Sequence, residues 1–137
     1  MGDANAKKFH KHLKDFLKAL IVVFPEDRDI KVISSSLNIA MMDDPDNHII
    51  TNFHDAMIPH EKLIHTRDPQ FFYQDPSAIK NTLKQQQSNT QYMLFDKLHS
   101  YWETLTEENR IVVWDYFQLL FRISTEVYEV YSSKKTK

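Results

Sequence analysis

The sequence predicts an all-α protein: a single irregular, orthogonal bundle of about five to seven helices. The 137-residue chain contains one glycine, Gly2, whereas tight hairpin turns and phosphate-binding loops usually need glycine. Its apolar residues recur at intervals of three and four, the repeat of an amphipathic helix. A chain of this length normally folds as one domain. We expect residues 1–137 to form that domain, with frayed ends at residues 1–5 and 132–137.

The first part of the chain predicts three helices separated by proline. Helix one is expected over residues 4–24, because Pro25 disfavours the helical conformation of the residue before it. Pro25 also suits the first position of the second helix, which should end near Met42. The third helix covers residues 48–57 and ends before Pro59. The acidic turn ahead of it lacks the glycine of a calcium loop, so we expect a solvated turn that caps the helix.

The middle of the chain predicts shorter helical pieces. Asp68-Pro69 and Asp75-Pro76 repeat one device for starting a helix, since aspartate caps the first N–H groups and proline fits the first helical position. From the second of these pairs the chain should be helical to about Thr104. Residues 85–89 are polar but contain no helix breaker, so they are either a linker or an exposed helical face.

The last helix is predicted to be the central helix of the bundle. Thr104 and Glu107 fit a capping box, and Thr106 is an alternative cap. Apolar residues crowd from Ile111 to Tyr131, which is typical of a helix wrapped by others. Polar residues form one narrow stripe on it, namely Asp115, Gln118, Arg122, Glu126 and Glu129.

Four segments occur in a suggestive order: Phe16 to Pro25 (FLKALIVVFP), Asp68 to Phe72 (DPQFF), Trp102, and Ile111 to Phe121 (IVVWDYFQLLF). In this order they resemble small helical proteins encoded by large DNA viruses of algae and protists. Such a chain starts with an amphipathic helix ending in Phe-Pro and finishes with a helix carrying a Trp-Xaa-Tyr-Leu/Phe-Gln core. The resemblance covers most of the chain but includes no catalytic motif. It implies a viral accessory or virion structural protein, located in the host cytoplasm or nucleus or in the virion.

The sequence offers little support for enzymatic chemistry. The chain has no cysteine, which excludes disulfides, thiolate zinc sites, iron–sulfur clusters and cysteine nucleophiles. The run Ser34 to Ser36 lies in a predicted helix, without a nucleophile-elbow motif. No pair of carboxylates stands out as an acid/base pair. We therefore expect a non-enzymatic protein without a cofactor.

Neither membrane insertion nor secretion is expected. The longest apolar run, Ala19 to Phe24, is far too short to span a bilayer. The first residues lead into an amphipathic pattern rather than the apolar stretch of a signal peptide.

Lysines on the first predicted helix form the most distinctive basic feature. They recur with the helical period, at Lys7, Lys11, Lys14 and Lys18. Such a strip can contact phosphates of a nucleic acid or another anionic partner. The alternative is an ordinary solvated face, because lysine is a good helix former. The formal net charge of -2 shows that the whole molecule is not a polycation.

Aromatic and methionine side chains are candidates for a protein interface. Tyr128 and Tyr131, with Met41 and Met42, belong to residue types that are enriched at interfaces. Core packing is the alternative for each of them. The last helix has more apolar surface than a small bundle easily hides, so self-association is a reasonable hypothesis.

Three histidines are candidates for a metal site. His54, His60 and His65 cluster in sequence with Asp55 and Glu61, and imidazole and carboxylate groups can bind zinc or iron. Their spacing matches no motif that puts two ligands on one helical face. The alternative is a set of scattered surface or half-buried histidines.

These observations give three hypotheses, in decreasing order of support. The first is a non-enzymatic helical module that binds another protein or itself. The second is a nucleic-acid-associated protein that uses the basic strip of helix one. The third is a histidine/carboxylate metalloprotein.

Overall fold

The computed structural model describes residues 2–44, 47–86 and 88–135, with the side chains of residues 2, 3 and 130–135 excepted. It confirms the all-α class, and no strand occurs in these ranges. Six helices have nine or more residues, in agreement with the predicted bundle. The helices are α1 (Gly2–Val23), α2 (Arg28–Met42), α3 (His48–Met57), α4 (Glu61–His65), α5 (Gln70–Tyr73), α6 (Ser77–Gln85), α7 (Asn89–Tyr101) and α8 (Glu107–Lys135), with 3₁₀ turns at Ile58–His60 and Trp102–Thr104.

Several helices pack against α8, the helix that the sequence predicts to be central. The helices α1, α3 and α4 all contact it, and its residues Trp114, Phe117 and Phe121 are buried in the core. The other helices do not fully bury α8 near its start, where Ile111 and Val112 are 45% and 37% exposed. The helix α8 is therefore central over much of its described length, but one side of its first two turns lies at the surface.

An aromatic cluster fills the core between α5, the 3₁₀ turn that follows α7, and α8. The Phe72 ring stacks on Trp102 with the ring centroids 4.0 Å apart, and it meets Trp114 edge-on at 5.1 Å. Its neighbour Phe71 meets Phe117 edge-on at 5.8 Å. Such aromatic pairs contribute about 0.5–1.5 kcal/mol beyond the burial of their area. This packing explains how α5, with only four residues, keeps a fixed place in the fold.

The helix α2 begins at Arg28, so its predicted start at Pro25 is wrong. Asp27 is its cap, because Oδ1 of Asp27 accepts hydrogen bonds from the N–H groups of Asp29 and Ile30 at 2.9 and 3.2 Å. A capping aspartate stabilises a helix by about 1 kcal/mol.

The same carboxylate joins α2 to α7. Its Oδ2 lies 3.1 Å from Nζ of Lys97 and accepts a hydrogen bond from the hydroxyl of Tyr101. Lys97 also reaches Asp29 at 3.0 Å, and the Tyr101 ring stacks on Phe24. The hydrogen bond from Tyr101, together with Lys97, lowers the pKa of Asp27 to about 2. Asp27 is thus ionised at any pH near neutrality, and it fixes the corner between α1 and α2 on α7.

Two other caps decide helix starts. In the acidic turn, the two carboxylate oxygens of Asp44 accept hydrogen bonds from the N–H groups of His48 and Ile49 at 2.9 and 3.2 Å. This confirms the predicted capping role of the turn. At α8, the Thr106 hydroxyl accepts a hydrogen bond from the Asn109 N–H at 3.2 Å. The second of the two predicted caps is therefore the one used.

The polar stretch at residues 85–89 separates two helices, so the linker alternative is the correct one. The helix α6 ends at Gln85 and α7 begins at Asn89. The N–H of Ser88 donates to the carbonyl of Leu83 at 2.9 Å, which closes the end of α6. The helices α1 and α8 also include residues 2–5 and 132–135, where the sequence predicts frayed ends. Residues 1, 136 and 137 lie outside the described ranges.

Arg67 has a left-handed backbone at the end of α4. Its φ is 52°, a conformation in which a side chain costs about 1–2 kcal/mol and glycine is preferred. The N–H of Asp68 donates to the carbonyl of Leu63 at 2.9 Å, and the N–H of Arg67 donates to that of Ile64 at 3.3 Å. These are the two hydrogen bonds of a Schellman motif, here formed without glycine.

The Arg67 side chain offsets this strain by binding α8. Its guanidinium pairs with Asp115 and donates to Oε1 of Gln118 at 2.8 and 3.1 Å. The Gln118 amide in turn donates to the carbonyls of Ile64 and His65 at 3.1 and 3.2 Å. Two residues of the predicted polar stripe therefore hold the end of α4 on α8.

Replacing Arg67 by alanine or by glycine separates these two effects. Arg67→Ala should lower the free energy of unfolding by about 1–2 kcal/mol, because the bonds to Asp115 and Gln118 are lost. Arg67→Gly should lower the free energy of unfolding by a smaller amount, about 1 kcal/mol at most. The relief of the left-handed backbone outweighs the extra backbone entropy of glycine. Urea denaturation measures both. Arg122→Ala, which removes an exposed arginine of α8, is the control and should change stability by less than about 0.5 kcal/mol. A glycine variant less stable than the alanine variant would contradict the assigned strain.

Candidate functional site

The predicted basic strip is an exposed face of α1. All four of its lysines are exposed and point away from the core, and none forms an ion pair with another described residue. One turn further on, Val22 is 79% exposed. We call the set Lys7, Lys11, Lys14 and Lys18 the basic face.

The opposite side of α1 is committed to the core. Phe9, Leu13, Phe16 and Leu20 on that side are all buried, so this apolar surface is not free to lie on a membrane. No helix in the described part of the chain combines the length and apolarity needed to cross a bilayer.

The predicted interface residues do not form one surface. Met41 is only 7% exposed and packs in the core, which corrects its assignment to an interface. Tyr128 is half-buried and stacks on His54 with centroids 4.4 Å apart, so its ring is mainly engaged inside the molecule. Met42 is 83% exposed. The side chain of Tyr131 lies outside the described residues.

Met42 belongs to an uncharged, exposed face of α2 that the sequence pattern did not predict. Val32 and Ile39 on this face are 58% and 68% exposed. Because they are seven residues apart, they lie within about 20° of each other around the helix axis. Exposed serines fill the turn between them. We call the set Val32, Ser35, Ser36, Ile39 and Met42 the α2 outer face.

The other side of α2 is held firmly in the bundle. Ile30, Ile33, Leu37 and Met41 are buried there, where α2 contacts α1 and α7. Its first turn is fixed by Asp27. The α2 outer face therefore has a fixed orientation. No described segment of the same chain covers its apolar side chains.

A buried serine–histidine pair joins α3 to α8. His54 is 5% exposed and stacks between Phe121 and Tyr128. Its Nδ1 lies 3.4 Å from the hydroxyl oxygen of Ser124, and the hydrogen of that hydroxyl is donated to the carbonyl of Phe121 at 2.7 Å. Because Ser124 is 0% exposed, no substrate can reach its hydroxyl. The pair is a packing contact and not a nucleophile with its base.

The three candidate metal ligands have separate partners. His54 stacks on aromatic rings, and Nδ1 of His60 lies 3.2 Å from the amide nitrogen of Gln74. His65 is exposed, with its ring edge-on to Phe121. Within the described ranges, no group of three or more histidine, aspartate or glutamate side chains is arranged to hold a metal ion. The metalloprotein hypothesis thus has no supporting geometry.

Burial lowers the pKa of three histidines. Loss of hydration lowers the pKa of His54, although Asp55, Glu61 and Glu129 oppose the shift. Burial also lowers the pKa of His60 and of His10. Each of these imidazoles is therefore harder to protonate in the folded protein than in the unfolded chain.

A cavity of about 40 Å³ lies in the core. Its walls are the side chains of Phe9, Leu37, Phe53, Leu94 and Phe117 among others, with the amide of Gln91 at one side. Sites for metabolites and cofactors usually have several hundred Å³. This cavity has room for no more than a few water molecules, so it is a packing defect and not a binding site for an organic molecule.

Two surfaces, the basic face and the α2 outer face, thus remain as candidate sites. Searches of protein-family models, curated proteins and solved structures find no match to the chain. The two surfaces differ in chemistry, since one is cationic and the other carries no charge between its ends. Each predicts a different class of partner.

The buried His54 predicts a loss of stability in mild acid. Below a pH of about 6.5, the usual pKa of histidine, the His54 imidazole binds a proton in the unfolded chain. In the folded protein it binds that proton less readily, because burial lowers the pKa of His54. The free energy of unfolding should then fall with pH from about 6.5 down to the folded pKa. His54→Phe keeps an aromatic ring between Phe121 and Tyr128 and removes the proton. It should give a shallower slope, with the remainder due to His10 and His60.

The measurement is urea denaturation of both proteins between pH 5 and 8. At pH 8 the imidazole is neutral in both states, so the difference there reports packing alone and serves as the internal reference. An unchanged slope in His54→Phe would refute the role of His54.

Proposed function

We propose that the protein is a non-enzymatic helical interaction module that binds another protein, or a second copy of itself, through the α2 outer face. The observation that carries this proposal is the exposure of three large apolar side chains on one face of one helix. Val32, Ile39 and Met42 are 58%, 68% and 83% exposed. Single exposed apolar residues are common, but a group on one face is a mark of an interaction site.

The energetics favour association at this face. Burial of one such side chain contributes about 1.5–3 kcal/mol, so three of them can support a specific contact. The face is already rigid, because its helix is capped by Asp27 and packed on α1 and α7. A partner therefore does not have to order it, which reduces the entropic cost of binding.

The viral assignment is part of the same proposal. It is supported by the four segments that resemble helical proteins of large DNA viruses, and these segments include no catalytic motif. On this reading the module is an accessory or virion structural protein, acting inside the infected cell or within the particle.

Ile39→Asp is expected to abolish association. A carboxylate within the α2 outer face has to be desolvated in any complex, whereas in the free protein the residue is 68% exposed and its replacement should leave the fold intact. Association is measured by sedimentation velocity for self-association and by a nuclease-treated pull-down for other proteins.

Ile111→Asp is the matched control, because it makes the same substitution at a 45% exposed site on α8. It should retain binding. Equal binding by the wild type and both variants would rule out the α2 outer face as the site.

A second candidate function is binding of a nucleic acid through the basic face. It is favoured by the exposure of all four lysines and by their lack of ion pairs with described residues. Contact with phosphates would release counterions, so affinity should fall steeply with salt. Without these four lysines the chain has a formal net charge of -6, which limits this function to weak, non-sequence-specific binding.

Two triple variants with the same change in net charge test this second candidate. Lys11, Lys14 and Lys18 replaced by glutamine should weaken binding to duplex DNA or RNA and flatten its salt dependence. The control replaces Lys31, Lys62 and Lys84, which are also exposed but lie off the basic face. Fluorescence anisotropy at several salt concentrations measures both. Equal losses in the two variants would mean that net charge, and not this face, drives the binding.

A further inference from the structure

We propose that the partner of the α2 outer face is a second copy of this chain, with the two α2 helices packed antiparallel about a two-fold axis between Ser35 and Ser36. This inference rests on the proposed function and names its partner. The order of side chains along α2 is self-complementary about this axis. A two-fold interface needs one patch that matches itself when it is reversed.

Two of the three exposed apolar residues of the face, Val32 and Ile39, meet this requirement, whereas Met42 has no apolar counterpart because it corresponds to Asp29. Val32 lies three residues before Ser35, and Ile39 lies three residues after Ser36. In an antiparallel pair centred between the serines, Val32 of each copy faces Ile39 of the other. Their exposures of 58% and 68% leave most of both side chains available for this contact. The pair of helices would bury two such contacts, one on each side of the axis.

The centre of the face allows the helices to approach closely. Ser35 and Ser36 are exposed and small, so Ser35 of one copy can lie against Ser36 of the other. Helices pack with their axes 8–10 Å apart according to the side chains at the contact. Small residues at the crossing point place the flanking Val32 and Ile39 within van der Waals reach.

Charges at the two ends complete the match. Arg28 lies seven residues before Ser35, and Asp43 lies seven residues after Ser36. Both are exposed, and neither side chain has an ion pair or hydrogen bond to another described residue. In the antiparallel pair each Arg28 faces Asp43 of the other copy, which gives two intermolecular ion pairs.

The positions of these two charges on the helix dipole also favour the antiparallel pair. Arg28 is at the N-terminus of α2 and Asp43 is at its C-terminus, and both are the unfavourable sign for the helix dipole. Within one chain they therefore destabilise α2 slightly. Across the antiparallel pair they attract each other and also the oppositely directed dipole of the second helix.

Other occupants fit this face less well. A nucleic acid would meet an uncharged strip that ends in the carboxylate of Asp43. A membrane-binding helix carries cations beside a broad apolar face, whereas the middle of this face has two serines. A single pair of helices gives an interface below the standard size, so we expect a weak dimer with a Kd in the micromolar range.

Charge-swap variants test the pairing. Arg28→Glu places a carboxylate opposite Asp43, and Asp43→Arg places a guanidinium opposite Arg28. Each single variant should weaken dimerisation about tenfold or more at low salt, because two attractive pairs become repulsive. Both substitutions in one chain should restore the dimer. An equimolar mixture of the two single variants should form a heterodimer, because all end charges are then opposite.

Folding should survive these changes, since each substitution puts the favourable charge at its end of α2. Circular dichroism and thermal unfolding check this. Sedimentation velocity from micromolar to millimolar protein measures the dimer. A wild type that stays monomeric over this range would overturn the inference, as would a dimer that is insensitive to the single swaps or is not restored by the double swap.

The same experiment separates failure of this inference from failure of the proposed function. A monomeric wild type that still binds another protein, with that binding lost in Ile39→Asp, would refute only the second copy as partner. A protein that neither dimerises nor loses any binding in Ile39→Asp would refute both.

Discussion

The orientation of α2 depends on one carboxylate. Asp27 caps α2, pairs with Lys97 and accepts a hydrogen bond from Tyr101, so it fixes both the start of the helix and its position on α7. That start also sets the rotation of every later residue in α2. Ile30, Ile33 and Leu37 then face the core, while Val32 and Ile39 face solvent. The exposed apolar surface is thus a consequence of how the α1–α2 corner is anchored.

The fold could be predicted where local pattern alone decides it. The third helix has the bounds predicted from sequence, because an apolar repeat lies between an acidic turn and a proline. The basic face was predicted for a similar reason, since its lysines follow the period of a helix that is packed on its other side. These features depend on neighbours close in the chain, which a sequence shows directly.

The α2 outer face could not be predicted with the same reasoning. Apolar residues occur on all sides of α2. The helical period correctly predicted which of them are buried, but it could not show which of the others remain exposed to solvent. The signal available was the seven-residue spacing of Val32 and Ile39. Only the packing of α2 on α1 and α7 shows that no described segment covers Val32 and Ile39. Similarly, the partners of His54 are Phe121 and Tyr128 on α8, which are far away in sequence.

The scarcity of glycine has a structural cost that the sequence hides. The left-handed positions at Asn47 and Arg67 are taken by residues with side chains. At Arg67 that side chain secures α4 on α8, so the strain and the anchor come from the same residue. A glycine there would relax the backbone and remove the anchor, which explains in physical terms why arginine can be tolerated at such a site.

The aromatic cluster also determines what light can report about this molecule. The chain has two tryptophans, and Trp102 and Trp114 are both buried, with their rings 5.6 Å apart. Their emission should therefore be blue-shifted and should follow the packing between α5, α7 and α8. The α2 outer face contains no fluorophore of its own, so intrinsic fluorescence will monitor unfolding of the core while giving little signal for events at that surface.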